Sequence, residues 1–207
     1  MTTRLRIEAI ALVAFLSGCS GNISEAPISR PVDGKQASTK EERSHEREKT
    51  PLQSMADLGF EAAKKSARID FNLATLDGSP RTLKDYEGDF ILLNFWASWC
   101  APCRIEMPAL ESLHQNLSDH GLRIVGVNLG EEIPLIQDFI KNTHITFEVV
   151  IDHDLSTGRL YAARSLPMTY VIDRTGTIVA RAIGVRDWDS DLMLKMFAEL
   201  IDGSPDS

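Results

Sequence analysis

Two cysteines three positions apart, Cys100 and Cys103 in Trp99-Cys100-Ala101-Pro102-Cys103, carry the densest chemistry in the sequence. They follow Phe90-Ile91-Leu92-Leu93-Asn94-Phe95-Trp96, which reads as a strand buried on both faces, and they open a stretch that reads as a helix from about Cys100. A strand that delivers a thiol to the first turn of a helix gives it free backbone N–H groups and the positive end of the helix dipole, and both stabilise a thiolate. Pro102 falls in that turn, where its missing N–H costs nothing and its fixed φ suits helix entry. Cys103 lies on the same helical face as Cys100, close enough to form and release a disulfide. The expected chemistry is thiol-disulfide exchange, in which Cys100 attacks a partner's disulfide and Cys103 resolves the mixed disulfide. Lowering a thiol pKa from about 8.5 to about 7 raises the thiolate fraction at pH 7 roughly fifteen-fold and lowers nucleophilicity about five-fold, so the environment of the pair sets direction more than speed. Half a zinc site and a structural disulfide are the other uses of C-x-x-C. Zinc needs more ligands, and the sequence has neither a second C-x-x-C nor an H-x-x-x-H.

The elements that must position this pair run from Ile69 onward. Phe71-Asn72-Leu73-Ala74, the Asp77-Gly78 turn signal and Thr82-Leu83 predict a leading β-hairpin ahead of the 90–96 strand. Leu122 to Asn128 and Phe147 to Ile151 read as further buried strands, with a helix over Ile133 to Lys141 between them. A helix is expected over Leu155 to Ala163, a hairpin of Thr169 to Asp173 and Thr177 to Ile183 around Thr175-Gly176, and a closing helix over Ser190 to Ile201. Alternating strands and helices that end in a hairpin predict an α/β domain over residues 68–203, a central mixed sheet flanked by helices.

The residues before this domain read as export and attachment. Arg4 and Arg6 precede an apolar run from Ala9 to Leu16, too short for a durable membrane helix, which needs about 20 residues. Residues 1–18 are expected to be a signal peptide. Leu16-Ser17-Gly18-Cys19 resembles the bacterial lipobox, in which the cysteine is lipidated; an ordinary cleaved signal is the alternative, and Glu8 is a departure. Lipidation would account for the third cysteine. Residues 19–50 are rich in Ser, Glu, Lys, Arg and Pro and predict a disordered tether, with four positive and four negative charges over Lys40 to Lys49. For 51–67 two readings stay open: an amphipathic docking helix using Leu52, Met55, Leu58 and Phe60, or more linker. The net charge of −8, with no clustered Lys and Arg, excludes a nucleic-acid surface.

The segment Asn94-Phe95-Trp96-Ala97-Ser98-Trp99-Cys100-Ala101-Pro102-Cys103-Arg104-Ile105-Glu106-Met107-Pro108 resembles the active-site segment of the TlpA/ResA branch of the thioredoxin superfamily. So does Ser165-Leu166-Pro167-Met168-Thr169-Tyr170-Val171-Ile172-Asp173, and Gly184 with Asp187-Trp188-Asp189-Ser190 is similar more loosely. Within the branch the likeness is strongest to the TlpA proteins, from which a lipobox in place of a membrane helix departs. The resemblance covers about Ile69 to Ile201. It implies a thioredoxin-like fold, no cofactor beyond the cysteines, and an anchored protein of the bacterial cell envelope, periplasmic, that reduces disulfides of partner proteins. Clients would be envelope proteins whose cysteines are kept reduced during cytochrome c or cytochrome oxidase maturation, and a membrane-embedded thiol relay would supply electrons.

Pro167 would read as trans from its sequence alone. The resemblance places a cis proline there beside the cysteines, with Leu166 offering its backbone to an extended substrate strand as in β-augmentation. Ordinary thioredoxins carry a buried Asp at the position of Asn94; here Glu106 is the branch's matching acid, expected to move the Cys103 proton, and burial would raise its pKa. A solvated helix glutamate is the alternative. Trp96 is expected in the core, and Trp99 in an exposed apolar collar that, with Pro102, meets partners. Pro108 should kink its helix. His153 between Asp152 and Asp154 invites a metal, whereas His114, His120 and His144 read as surface residues. A copper-binding chaperone using the same two thiolates, and a thiol peroxidase, are the alternatives to a reductase. Copper-chaperone relatives space their cysteines more widely, and a peroxidase would want a lone cysteine preceded by Pro and Thr.

Overall fold

A computed structural model describes residues 49–63 and 67–203; the segments expected to be a signal peptide and a tether, with Cys19, lie outside the described residues up to residue 48. In chain order the elements are α1 (Pro51–Asp57), β1 (Glu61–Ala62), β2 (Asn72–Thr75), β3 (Pro80–Thr82), β4 (Phe90–Trp96), α2 (Ala101–Leu117), β5 (Leu122–Leu129), α3 (Ile133–Thr143), β6 (Glu148–Asp152), α4 (Ser156–Leu160), β7 (Met168–Ile172), β8 (Ile178–Ile183) and α5 (Asp191–Asp202). The strands form one mixed sheet in the order β1-β8-β7-β4-β5-β6-β2-β3. β4, β5 and β6 are parallel, joined through α2 and α3, and β7 and β8 add an antiparallel hairpin on the other edge of β4. The leading hairpin β2–β3 pairs with β6.

Every residue of β4 is buried, because helices cover one face of the sheet there and the leading hairpin, Leu83, Tyr86 and Tyr161 close the other. Phe90, Leu92 and Trp96 meet Met107, Leu110 and Leu113 of α2, Ile136 of α3 and Phe197 of α5 on one face. Ile91, Leu93 and Phe95 meet Val125, Val127, Tyr161 and Tyr170 on the other. The period-2 alternation of a strand therefore divides one apolar run between two cores. α2 runs from residue 101 to 117 as one helix with Pro108 inside it.

One expectation is corrected and two open readings are narrowed. The helix over 155–163 is only Ser156–Leu160, since Ala162 takes a left-handed φ of 51° that a continuing helix does not allow. The acids around His153 serve the backbone: Asp152 accepts the N–H groups of Thr157 and Gly158 at 3.2 and 2.7 Å, and Asp154 accepts that of Ser156 at 2.9 Å. Among the described residues no group of three or more His, Cys, Asp or Glu is placed to hold a metal. Finally, 51–62 is neither linker nor helix alone, because a short edge strand follows the helix.

That segment is held by ordinary capping and aromatic packing. Thr50 and Gln53 form a reciprocal capping box at the start of α1, with Pro51 in its first turn. Gly59, at a φ of 79°, turns the chain back so that β1 pairs with β8. Met55 and Phe60 are buried, and the Phe60 ring stands edge-on to Trp188 and Phe197 at 5.9 and 6.3 Å. Phe60→Ala should therefore cost about 3 kcal/mol of stability, read from the urea midpoint at constant slope. A loss below about 1 kcal/mol would mean that the segment is not docked on α5 in solution.

Candidate active site

β4 ends at Trp96, a turn over residues 97–99 follows, and Cys100 becomes the N-cap of α2 with extended φ and ψ of −78° and 102°. Its Sγ accepts the N–H of Cys103 at 3.2 Å, as the oxygen of a capping serine would, so the sulfur sits on the unpaired donors at the head of the helix. The two cysteines are joined as a disulfide with their Cα atoms 5.3 Å apart. They are not equivalent: Cys100 keeps 5% of its surface exposed and Cys103 none, so a partner reaches Cys100 first. The adjacent Trp99 is 70% exposed, Pro102 is exposed in the same turn, and Ile105, one turn further along α2, is 71% exposed. Trp96, by contrast, is fully buried against Phe139.

The proline loop arrives through sheet register. β7 runs antiparallel to β4 with Met168 opposite Phe95 and Thr169 opposite Asn94. Pro167, one residue earlier, thus lies at the end of β4 from which the cysteine turn departs. The Leu166–Pro167 peptide is cis; Pro167 is buried and Leu166 half-buried.

Glu106 is not solvated. It is 1% exposed, one turn beyond Cys103 on α2, and three N–H donors converge on its carboxylate. Asn94 Nδ2 reaches Oε1 at 2.9 Å, and Trp188 Nε1 and the backbone N–H of Arg186 reach Oε2 at 3.0 and 3.2 Å. Asn94 Nδ2 also donates to Thr169 Oγ1 at 2.9 Å. Burial pushes the Glu106 pKa above the usual carboxylate range, and the bonds from Trp188, Asn94 and Arg186 hold it back. Arg186 and Trp188 did not emerge from the sequence as partners of Glu106. The one available signal was a tryptophan in the Asp187-Trp188-Asp189-Ser190 motif, whose indole N–H needs an acceptor when buried.

A raised pKa in the folded state means that the folded protein binds the Glu106 proton more tightly than the unfolded chain, whose glutamates titrate near about 4.3. The stabilisation is complete below that value and is lost as pH rises through the higher folded pKa. Glu106→Gln should remove this part of the pH dependence. The parent's urea midpoint should fall relative to the variant's as pH is raised from about 4 to about 8. Parallel curves would show that the carboxylate titrates alike in both states.

Comparison with known proteins gives the same picture. The AhpC/TSA family matches residues 65–181. A protein from Halalkalibacterium halodurans named thiol-disulfide oxidoreductase ResA is 34% identical over 146 residues, 70% of this chain and 81% of that protein. The ResA of Geobacillus thermodenitrificans is 37% identical over 113 residues, and there the match spans 55% of this chain and 65% of the relative. A crystal structure of a thiol:disulfide interchange protein of the thioredoxin family from Chlorobium tepidum aligns with a TM-score of 0.57 at 25% identity, covering 67% of this chain and 99% of that one. With its two cysteines paired at the head of α2 in a thioredoxin-like fold, the chain belongs to the AhpC/TSA family, among the thiol-disulfide oxidoreductases of the ResA type.

Proposed function

We propose that this protein reduces disulfides of partner proteins in the bacterial cell envelope. The observation that carries the reading is the asymmetry of the pair: Cys100 keeps slight exposure with its sulfur on a helix N–H, while Cys103 is fully enclosed one turn before a buried carboxylate. In the reduced protein the Cys100 thiolate attacks a client disulfide, forming one S–S bond and releasing the client's other sulfur as a thiolate. Glu106 takes the proton of Cys103, whose sulfur then attacks Cys100 Sγ. That step forms the Cys100–Cys103 disulfide and releases the client's second thiolate, so the client gains two electrons and the pair loses two. Burial of Glu106 suits it to this task, since a more basic carboxylate is the better proton acceptor for a thiol.

Trp99, Ile105 and Pro102 supply the apolar collar a client chain meets, and Leu166 beside Pro167 offers backbone to an extended client segment. Anchoring through a lipidated Cys19, and recharging by a membrane-embedded thiol relay, complete the cycle. Clients in cytochrome c or cytochrome oxidase maturation fit this placement, since their cysteines must be reduced to receive haem or copper.

The test separates the two sulfurs. Cys103→Ala should keep a nucleophilic Cys100 and accumulate mixed disulfides with client proteins, visible as species that dithiothreitol releases on non-reducing gels. Cys100→Ala should accumulate none. Equal trapping by the two variants would overturn the assignment of roles.

A further inference from the structure

A second buried carboxylate, which the disulfide cycle does not use, bonds the cysteine turn itself. Glu131 follows β5 and the left-handed Gly130, and is 7% exposed. Its Oε2 accepts the N–H of Ser98 at 2.6 Å and the side-chain amide of Asn128 at 2.7 Å. Its Oε1 accepts the Ser98 hydroxyl at 2.5 Å. Two of the three bonds therefore fasten one residue, Ser98, at both its backbone and its side chain, two positions before Cys100. The turn over residues 97–99 belongs to no strand or helix, and its other backbone bond is Cys100 N–H to the Ala97 carbonyl at 3.1 Å.

The oxidised and reduced proteins depend on this turn differently. While the disulfide exists, the bond to Cys103 itself fixes Cys100 over the head of α2. Once it is reduced, that covalent tie is gone, and the place of the Cys100 sulfur rests on the turn that leads into the helix. A thiolate gains from the helix N-terminus only while it stays on the free N–H groups, because the effect falls off within one turn. We propose that Glu131 is a positioning residue for the reactive thiol: by clamping Ser98 it keeps the Cys100 sulfur on the N–H groups of α2 after reduction. The inference rests on the reading of Cys100 as the attacking thiolate.

The sign of the effect separates positioning from charge. A nearby carboxylate acting only through its charge would disfavour the thiolate, so removing it would lower the Cys100 pKa. A lost clamp raises it. In the reduced full chain, the pH dependence of the alkylation rate at Cys100, located by peptide mass so that Cys19 and Cys103 do not contribute, reads its thiolate. Glu131→Ala should raise its titration midpoint by about half to one unit toward the free-thiol value of about 8.5, a three- to ten-fold loss of thiolate at pH 7. Glu131→Gln keeps an oxygen for the Ser98 N–H and the Asn128 amide and should stay within about two-fold of the parent. Ser98→Ala, which removes one of the two fastenings, should fall between them. A folded Glu131→Ala with the parent's titration, or one shifted downward, would overturn the proposal. Should Glu131→Ala fail to fold, Glu131→Gln and Ser98→Ala carry the same test, with an unshifted Ser98→Ala midpoint as the contrary result. A parent Cys100 that itself titrates at the free-thiol value would instead defeat the attacking-thiolate reading, which is a different outcome.

Discussion

The N–H of Cys103 aimed at the sulfur of Cys100 is the contact on which the rest of this molecule converges. It exists only if a strand ends, turns once and becomes a helix at a fixed place. That place is fixed by β4, which is hydrogen-bonded along one edge to β5 and along the other to β7, and is buried on both faces. A strand held on four sides cannot slip in register without moving its apolar residues out of two cores at once. The sulfur at its far end inherits that rigidity, while the surface around it stays open and apolar.

Among the buried polar residues, two asparagine–carboxylate pairs stand near the cysteine turn, and they are alike. Asn94 on β4 donates to Glu106, and Asn128 on the neighbouring β5 donates to Glu131. The amide oxygens of both asparagines are buried without a hydrogen-bond partner among the described residues. The two carboxylates reach the cysteine segment from different elements, Glu106 from α2 one turn beyond Cys103 and Glu131 from the end of β5 through Ser98. The docked segment reaches the first of them too: Phe60 packs on Trp188, and Arg186 donates to the Gly59 carbonyl at 2.9 Å while its own backbone N–H meets Glu106.

Much of this was legible in the residues. Long apolar runs bounded by turn signals gave β4, β5 and β6 to within a residue or so, and Asp77-Gly78 and Thr175-Gly176 located both hairpin turns, where Gly78 and Gly176 take positive φ. The cysteine pair and its helix followed from spacing, whereas the cis Leu166–Pro167 peptide came from family resemblance alone. What stayed hidden depends on distant partners. Glu106 is held by Arg186 and Trp188 from 80 and 82 residues away. Glu131 reads as one more acid in Gly130-Glu131-Glu132, and Ser98, which it clamps, lies 33 residues earlier. Asn128, a polar residue at the end of an apolar strand, was the local sign that a buried partner was needed. β1 has two exposed residues, too few for any period to show.

The central claim is that Cys100 and Cys103 cycle as one two-electron couple poised to reduce clients. A titration of the purified protein against thiol-disulfide buffers, with free thiols counted by alkylation, tests it most directly. A single transition that releases two thiols, with a midpoint nearer the roughly −270 mV of thioredoxin than the roughly −120 mV of DsbA, is the expected result. A midpoint at the oxidising end, or a pair that even excess dithiothreitol fails to reduce, would contradict it.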